Sequence, residues 1–295
     1  MAIDKRWKKV ATKLQDSCLY GKNKYWTIGK QNRWMDVHLY AIDWLIKNES
    51  KYSSNVLDKE LQKVVNIKFP DRTFSDKYRP LFLSKILGLI ENYPSSKQAF
   101  KTTPAYQRIK NSEGKQFMVD ELLSKQAEKF FFWGGLHSLV NRHAADNRNA
   151  IDSFEIYPIF FLYELIKKLT PSYPYGKISE FELTYLIITR EKNSDVEECL
   201  EDILAYRNSS FNGSSKDEVE KYLIDSIKDK QFAKPDNRMS GILNLVKFFN
   251  IVDGVLQTNI ETEPEMLDRL SKFKLLESNN QLIKFDQNDK EKYLD

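Results

Sequence analysis

The chain has little of what builds redox, metal or nucleotide chemistry. Its two cysteines, Cys18 and Cys199, lie far apart and share no metal-binding or redox spacing, so they read as free thiols in a reducing, cytoplasmic setting. The three histidines, His38, His137 and His143, lack cysteine or acidic partners at ligand spacing. There is no Gly-x-Ser-x-Gly elbow, P-loop or Rossmann fingerprint, and Gly29 in Trp26-Thr27-Ile28-Gly29-Lys30 stands isolated. No stretch approaches the roughly 18 apolar residues of a membrane span. The longest apolar-rich one, Ile156 to Ile166, contains Glu164. The opening MAIDKRWKKVATKLQ lacks the apolar core of a secretory signal. These absences argue against a disulfide scaffold, a membrane-spanning protein and a nucleotide cradle, and they leave no catalytic or metal-ligating residue to nominate.

Aromatic residues are plentiful by contrast. The 18 Phe, 15 Tyr and 5 Trp argue for packed cores and against disorder. A length of 295 residues accommodates one to three domains. The net charge of +4 conceals an asymmetry: counting Lys and Arg against Asp and Glu, residues 1–150 carry about +12 and residues 151–295 about −8. Residues 66–115 alone hold ten cations against four anions. A basic half joined to an acidic half points to one side that faces a polyanion. Taken alone, the lysines also fit an ordinary solvated surface, and the acidic stretches most simply form solvated faces.

Two phrases share one layout. Asp76-Lys77-Tyr78-Arg79-Pro80 opens an apolar helix, Leu81 to Leu87, which stops at Gly88 before Leu89-Ile90-Glu91-Asn92. Asp236-Asn237-Arg238-Met239-Ser240 opens a second, Ile242 to Phe249, which stops at Asn250 before Ile251-Val252-Asp253-Gly254-Val255-Leu256. Asp is a good N-cap, Gly or Asn tolerates a left-handed stop, and Asp-Gly is a strong hairpin signal. Helix, tight stop and hairpin make the layout of a winged helix, a helix-turn-helix variant that commonly reads DNA.

The rest of the chain reads as helices and loops. The spacing predicts helices over 4–16, 37–46, 57–65, 119–133, 154–169, 195–206, 216–227 and 266–273, with a last strand over 282–285. Pro158 is tolerable only in a first helical turn. Ser179 followed by Glu182 is a capping box. Residues 93–116 are polar, basic and turn-rich and read as a linker. The expected fold is mainly α with small β wings, in tandem winged-helix-like subdomains: 1–95, a basic linker subdomain over 96–150, and 151–295.

Lys77 to Glu91 with its "LGLIE" close, Tyr157 to Leu186 (YPIFFLYELIKKL…KISEFEL) and Asn237 to Leu256 resemble the DNA-recognition part of type IIS restriction endonucleases of the FokI and AlwI kind. The resemblance covers about two thirds of the chain through short motifs. It implies successive winged-helix-like subdomains around duplex DNA, with Mg²⁺-dependent cleavage in a separate nuclease domain or subunit and no cofactor in this piece. That nuclease needs an Asp and an acid two positions before a Lys on adjoining strands. Glu113-Gly114-Lys115 with Asp71 or Asp76 upstream has the residues but lies in a turn-rich loop, so it is assigned no catalytic role. A monomer reading a short asymmetric site would take base contacts from the helix starts, Lys77, Arg79, Asn237 and Arg238, because Arg pairs bidentately with guanine and Asn with adenine. Lys22, Lys24, Lys30, Arg33, Arg72, Lys101, Arg108, Lys110 and Lys115 would follow phosphates. The rival readings are a tandem winged-helix regulator or replication initiator, and a helical interaction module whose acidic half docks a basic partner.

Overall fold

The computed structural model describes residues 3–17, 35–48, 54–71, 89–92, 101–111, 156, 158–170, 176–208, 215–227 and 248–279. They are mainly helical, with small antiparallel β elements, as the sequence predicts. Contacts divide the chain into two compact units: residues 1–30 with 131–284, and residues 31–130 with 285–295. Composition predicts breaks after 95 and 150 and keeps the N-terminal helix with the residues that follow it. The contacts group that helix with the second half instead.

In the first unit, α1 (Lys5–Ser17) buries Trp7, Val10, Ala11 and Leu14, an i, i+3, i+4, i+7 stripe. It packs on α8 (Lys216–Ser226). Each large side chain so buried contributes roughly 1.5–3 kcal/mol. The central helix, α5 (Pro158–Leu169), starts at its proline, where the missing N–H costs no hydrogen bond. It is buried on nearly all sides, from Ile159 through Ile166. The chain returns past Gly176, where a Cβ would sit 2.3 Å from Leu169 Cβ, so only glycine allows this approach.

β3 (Ile178–Ser179) leads into α6 (Glu180–Glu182), which widens at once into a π-helical turn, Leu183–Ile187. The predicted capping box is present: Glu182 N–H donates to Ser179 Oγ (3.2 Å) and Ser179 N–H to Glu182 Oε2 (2.8 Å). α7 (Val196–Arg207) packs against α5. β4 (Phe249–Val252) and β5 (Val255–Thr258) form the predicted hairpin, and β3 joins it to give the strand order β3-β5-β4. Asp253 and Gly254 both have positive φ, 50° and 73°, as a type I′ turn requires.

One expectation fails here. Phe249 begins the strand rather than ending a helix, and Asn250 pairs with Gln257 inside the ladder instead of forming a left-handed stop. Alternation decides it: Phe249 and Leu256 are buried on one face of the hairpin, while Asn250 and Val252 are exposed on the other. Phe249 meets Tyr163 edge-on at 6.5 Å. α9 (Glu263–Ser278) extends beyond the predicted 266–273 at both ends.

The second unit holds α2 (Met35–Asn48) and α3 (Ser54–Lys68), packed through Val37, Ala41 and Leu45 and through Leu57, Leu61 and Val65. Tyr40 meets Phe69 edge-on at 5.5 Å. β1 (Ile90–Asn92), where the first phrase predicts a strand, pairs antiparallel with β2 (Lys101–Thr102). α4 (Pro104–Asn111) follows directly. Among the described residues no helix is long and apolar enough to cross a membrane.

Candidate nucleic-acid interface

The segment 101–111 contains three cations and no acid. Composition predicts a linker here, but the structure gives a strand and a helix. The signal for them is Thr103-Pro104. Thr103 caps α4, its Oγ1 accepting from Tyr106 N–H at 3.4 Å, and Pro104 takes the first helical position. Thr103 N–H also donates to Leu89 O (3.1 Å), tying the helix start to the β1–β2 hairpin. Buried Tyr106 and Ile109 anchor the helix, and the Tyr106 hydroxyl donates to Asp43 on α2 (2.5 Å). Burial, then that hydrogen bond, push the Tyr106 pKa well above the ordinary tyrosine range, so it remains a donor.

This scaffold carries Lys101, Arg108 and Lys110, all exposed. Lys110 Nζ lies 3.8 Å from Asp43 at the rim. These three of the sequence-predicted phosphate contacts are therefore brought onto one strand-and-helix segment. Lys22, Lys24, Lys30, Arg33, Arg72 and Lys115, and the predicted base readers Lys77, Arg79, Asn237 and Arg238, lie outside the described residues. So do the predicted helix over 119–133 and strand over 282–285.

The wing of the first unit differs in chemistry. Its outward face presents Asn250, Val252, Val255 and Gln257, and its tip presents Asp253. It carries no cation, so it offers nothing to neutralise a phosphate.

Arg6 and Lys9 on α1 serve another purpose, which composition did not reveal. Arg190 is 3% exposed and has all three of its nitrogens engaged: Nε donates to Leu186 O (3.0 Å), Nη2 to Asp202 Oδ2 (2.5 Å), and Nη1 pairs with Glu198 Oε2 (3.0 Å). Arg6 Nη1 donates to the other Asp202 oxygen (3.0 Å), and its Nη2 lies 3.6 Å from Glu201. Lys9 Nζ donates to Glu198 Oε1 (2.6 Å). The acidic face of α7 is thus clasped from within the same unit, not simply solvated. The Leu186 carbonyl, freed near a helix end, also accepts from the Cys199 thiol at 3.7 Å. Burial pushes that thiol up to about 12, which leaves it inert. Glu182, beyond its capping role, receives Arg207 through Nε (2.6 Å) and Nη2 (2.9 Å).

Among the described residues, no three His, Cys, Asp or Glu side chains gather as a metal site. No protein-family model matches the chain, and no curated protein does. Among solved structures, it is similar to the BpuJ1 endonuclease binding domain, determined in complex with pyrene- and phenanthrene-modified DNA. The TM-score is 0.50 at 12% identity, with 84% of each chain covered. At that identity the likeness is one of fold, over most of the chain.

Proposed function

We propose that this chain binds duplex DNA and is the recognition part of a type IIS restriction endonuclease reading a short asymmetric site. The observation that carries the proposal is the fold: a mainly helical chain with hairpin wings, similar over 84% of its length to an endonuclease binding domain solved on DNA. The exposed cations of 101–111 supply the electrostatic contact such a role needs. In this reading Lys101, Arg108 and Lys110, with Lys22, Lys24, Lys30, Arg33, Arg72 and Lys115, hold phosphates and set register. Lys77 and Arg79, with Asn237 and Arg238, read base edges. A Mg²⁺-dependent nuclease domain or subunit would perform cleavage.

The test is selection of a random duplex pool on the purified chain, with the winner's affinity followed against salt and its stoichiometry measured. One asymmetric site bound by a monomer, with affinity falling steeply as salt rises, is the expected result. A palindromic or repeated site bound by a dimer would favour the regulator reading. No enrichment and no salt dependence would refute DNA binding. The interaction-module reading draws on the acidic half, but Glu198, Glu201 and Asp202 of α7 already face Arg6, Lys9 and Arg190.

A further inference from the structure

Phosphate tracking alone leaves the outward face of α4 unexplained. Pro104, Gln107, Arg108 and Asn111 are exposed at i, i+3, i+4, i+7 spacing, opposite buried Tyr106 and Ile109. At roughly 100° per residue, the amides of Gln107 and Asn111 run along the crest of the helix. Arg108 stands on one shoulder and Lys110 on the other, beside Asp43. Gln107 is also held in place, since its Nε2 donates to Thr102 Oγ1 at 3.2 Å. A carboxamide has two donor hydrogens and one acceptor oxygen. With one hydrogen on Thr102, the exposed amide still has a second donor hydrogen and an acceptor oxygen to offer an outside partner. Adenine presents the complement in the major groove, an N7 acceptor beside an N6 donor. A helix of this length, about 12 Å, spans some three to four base pairs.

We infer that α4 is a base-reading element for duplex DNA, resting on the DNA-binding reading above. Gln107 and Asn111 take adenine edges in the major groove, and Lys101, Arg108 and Lys110 hold the flanking phosphates. Thr102 is a positioning residue, fixing the Gln107 amide. The charge of the segment fits that occupant, because three cations and no acid lie between 101 and 111.

The test uses the full chain and the duplex that wild type selects from a randomised pool. Fluorescence anisotropy is read on that duplex, on versions with each A·T pair replaced by G·C, and on random duplex. Gln107→Ala and Asn111→Ala should each weaken the selected duplex by about 5- to 150-fold. Each should abolish the penalty for replacing one A·T pair and leave random-duplex affinity, salt slope and melting temperature unchanged. Thr102→Val should cause a smaller loss at the Gln107 base pair alone. Gln107→Glu should move the preference there from adenine to cytosine, whose N4 group donates; a merely structural role predicts no such switch. If wild type selects a site but both alanine variants keep every A·T preference, the inference fails while the DNA-binding reading stands. If wild type selects nothing and shows no salt dependence, both fail together.

Discussion

In the first unit Arg6, Lys9 and Arg190 reach toward Glu198, Glu201 and Asp202, whereas in the second Lys101, Arg108 and Lys110 stand on an exposed strand and helix. The residue types are the same and the settings differ: Arg190 is buried, whereas Lys101, Arg108 and Lys110 are exposed. The difference lies in the neighbours. α7 places three carboxylates within about one turn, and α1 sets Arg6 and Lys9 against them. Segment 101–111 has no acid of its own, and Asp43 of the neighbouring α2 both accepts from Tyr106 and lies 3.8 Å from Lys110. Net charge therefore says how many cations a region has, while the packing of acids decides which of them are drawn into a buried clasp.

Removing one partner of the clasp should have the largest effect. Asp202→Ala leaves Nη2 of the buried Arg190 and Nη1 of Arg6 without their shared carboxylate, and breaking a buried pair in this way costs about 3–5 kcal/mol. Urea unfolding should show this as a lowered midpoint, with DNA affinity of the folded fraction unchanged. A drop below about 1 kcal/mol would mean the clasp is superficial. Arg79→Ala should cost about 1–3 kcal/mol on the selected duplex and relax preference at one base pair. Equal losses on selected and random DNA would remove Arg79 from the base-reading set. Lys110→Ala should weaken all sequences alike and reduce the salt slope by about 0.9, whereas Lys9→Ala, on the clasp, should leave that slope alone. Equal slope changes in the two variants would erase the distinction between the units.

The smallest effect concerns pH. The hydrogen bond from Lys9 and the Arg190 charge hold the Glu198 carboxyl below its ordinary value, against the opposing effect of burial. A depressed folded-state pKa gives stability that is fully present above the ordinary carboxylate range and is lost as pH falls through the lower folded value. Glu198→Gln should therefore show a shallower fall in urea midpoint on acidification than wild type. Parallel curves would mean that Glu198 contributes nothing to acid sensitivity.

Much of the local structure was legible in the sequence because its determinants are local. Ser179 and Glu182 cap a helix three residues apart, Asp253-Gly254 turns a hairpin, and Pro158 starts a helix. Legibility ended where two local signals competed or where a partner lay far away. Thr103-Pro104 looks like turn material, yet Tyr106 and Ile109 at helical spacing make it a cap and a first turn. Asn250 suits a left-handed stop, yet strand alternation across Phe249, Ile251 and Leu256 draws it into the ladder. The clasp was invisible because Arg6 and Asp202 are 196 positions apart. Of the candidate site, the cations Lys101, Arg108 and Lys110 were legible from charge, and the amide stripe of Gln107 and Asn111 was not, because it emerges only once 104–111 is a helix.

The discontinuity of the first unit also has a consequence for how the protein is made. Its opening helix finds its packing partner only after α8 has left the ribosome, whereas residues 31–130, the larger part of the second unit, emerge as one stretch. Closing so long a loop adds little equilibrium cost, since the entropy grows only with the logarithm of length. In time it delays the first unit, which cannot close until its far half has emerged. Until then the apolar stripe of Trp7, Val10 and Leu14 must wait without its cover.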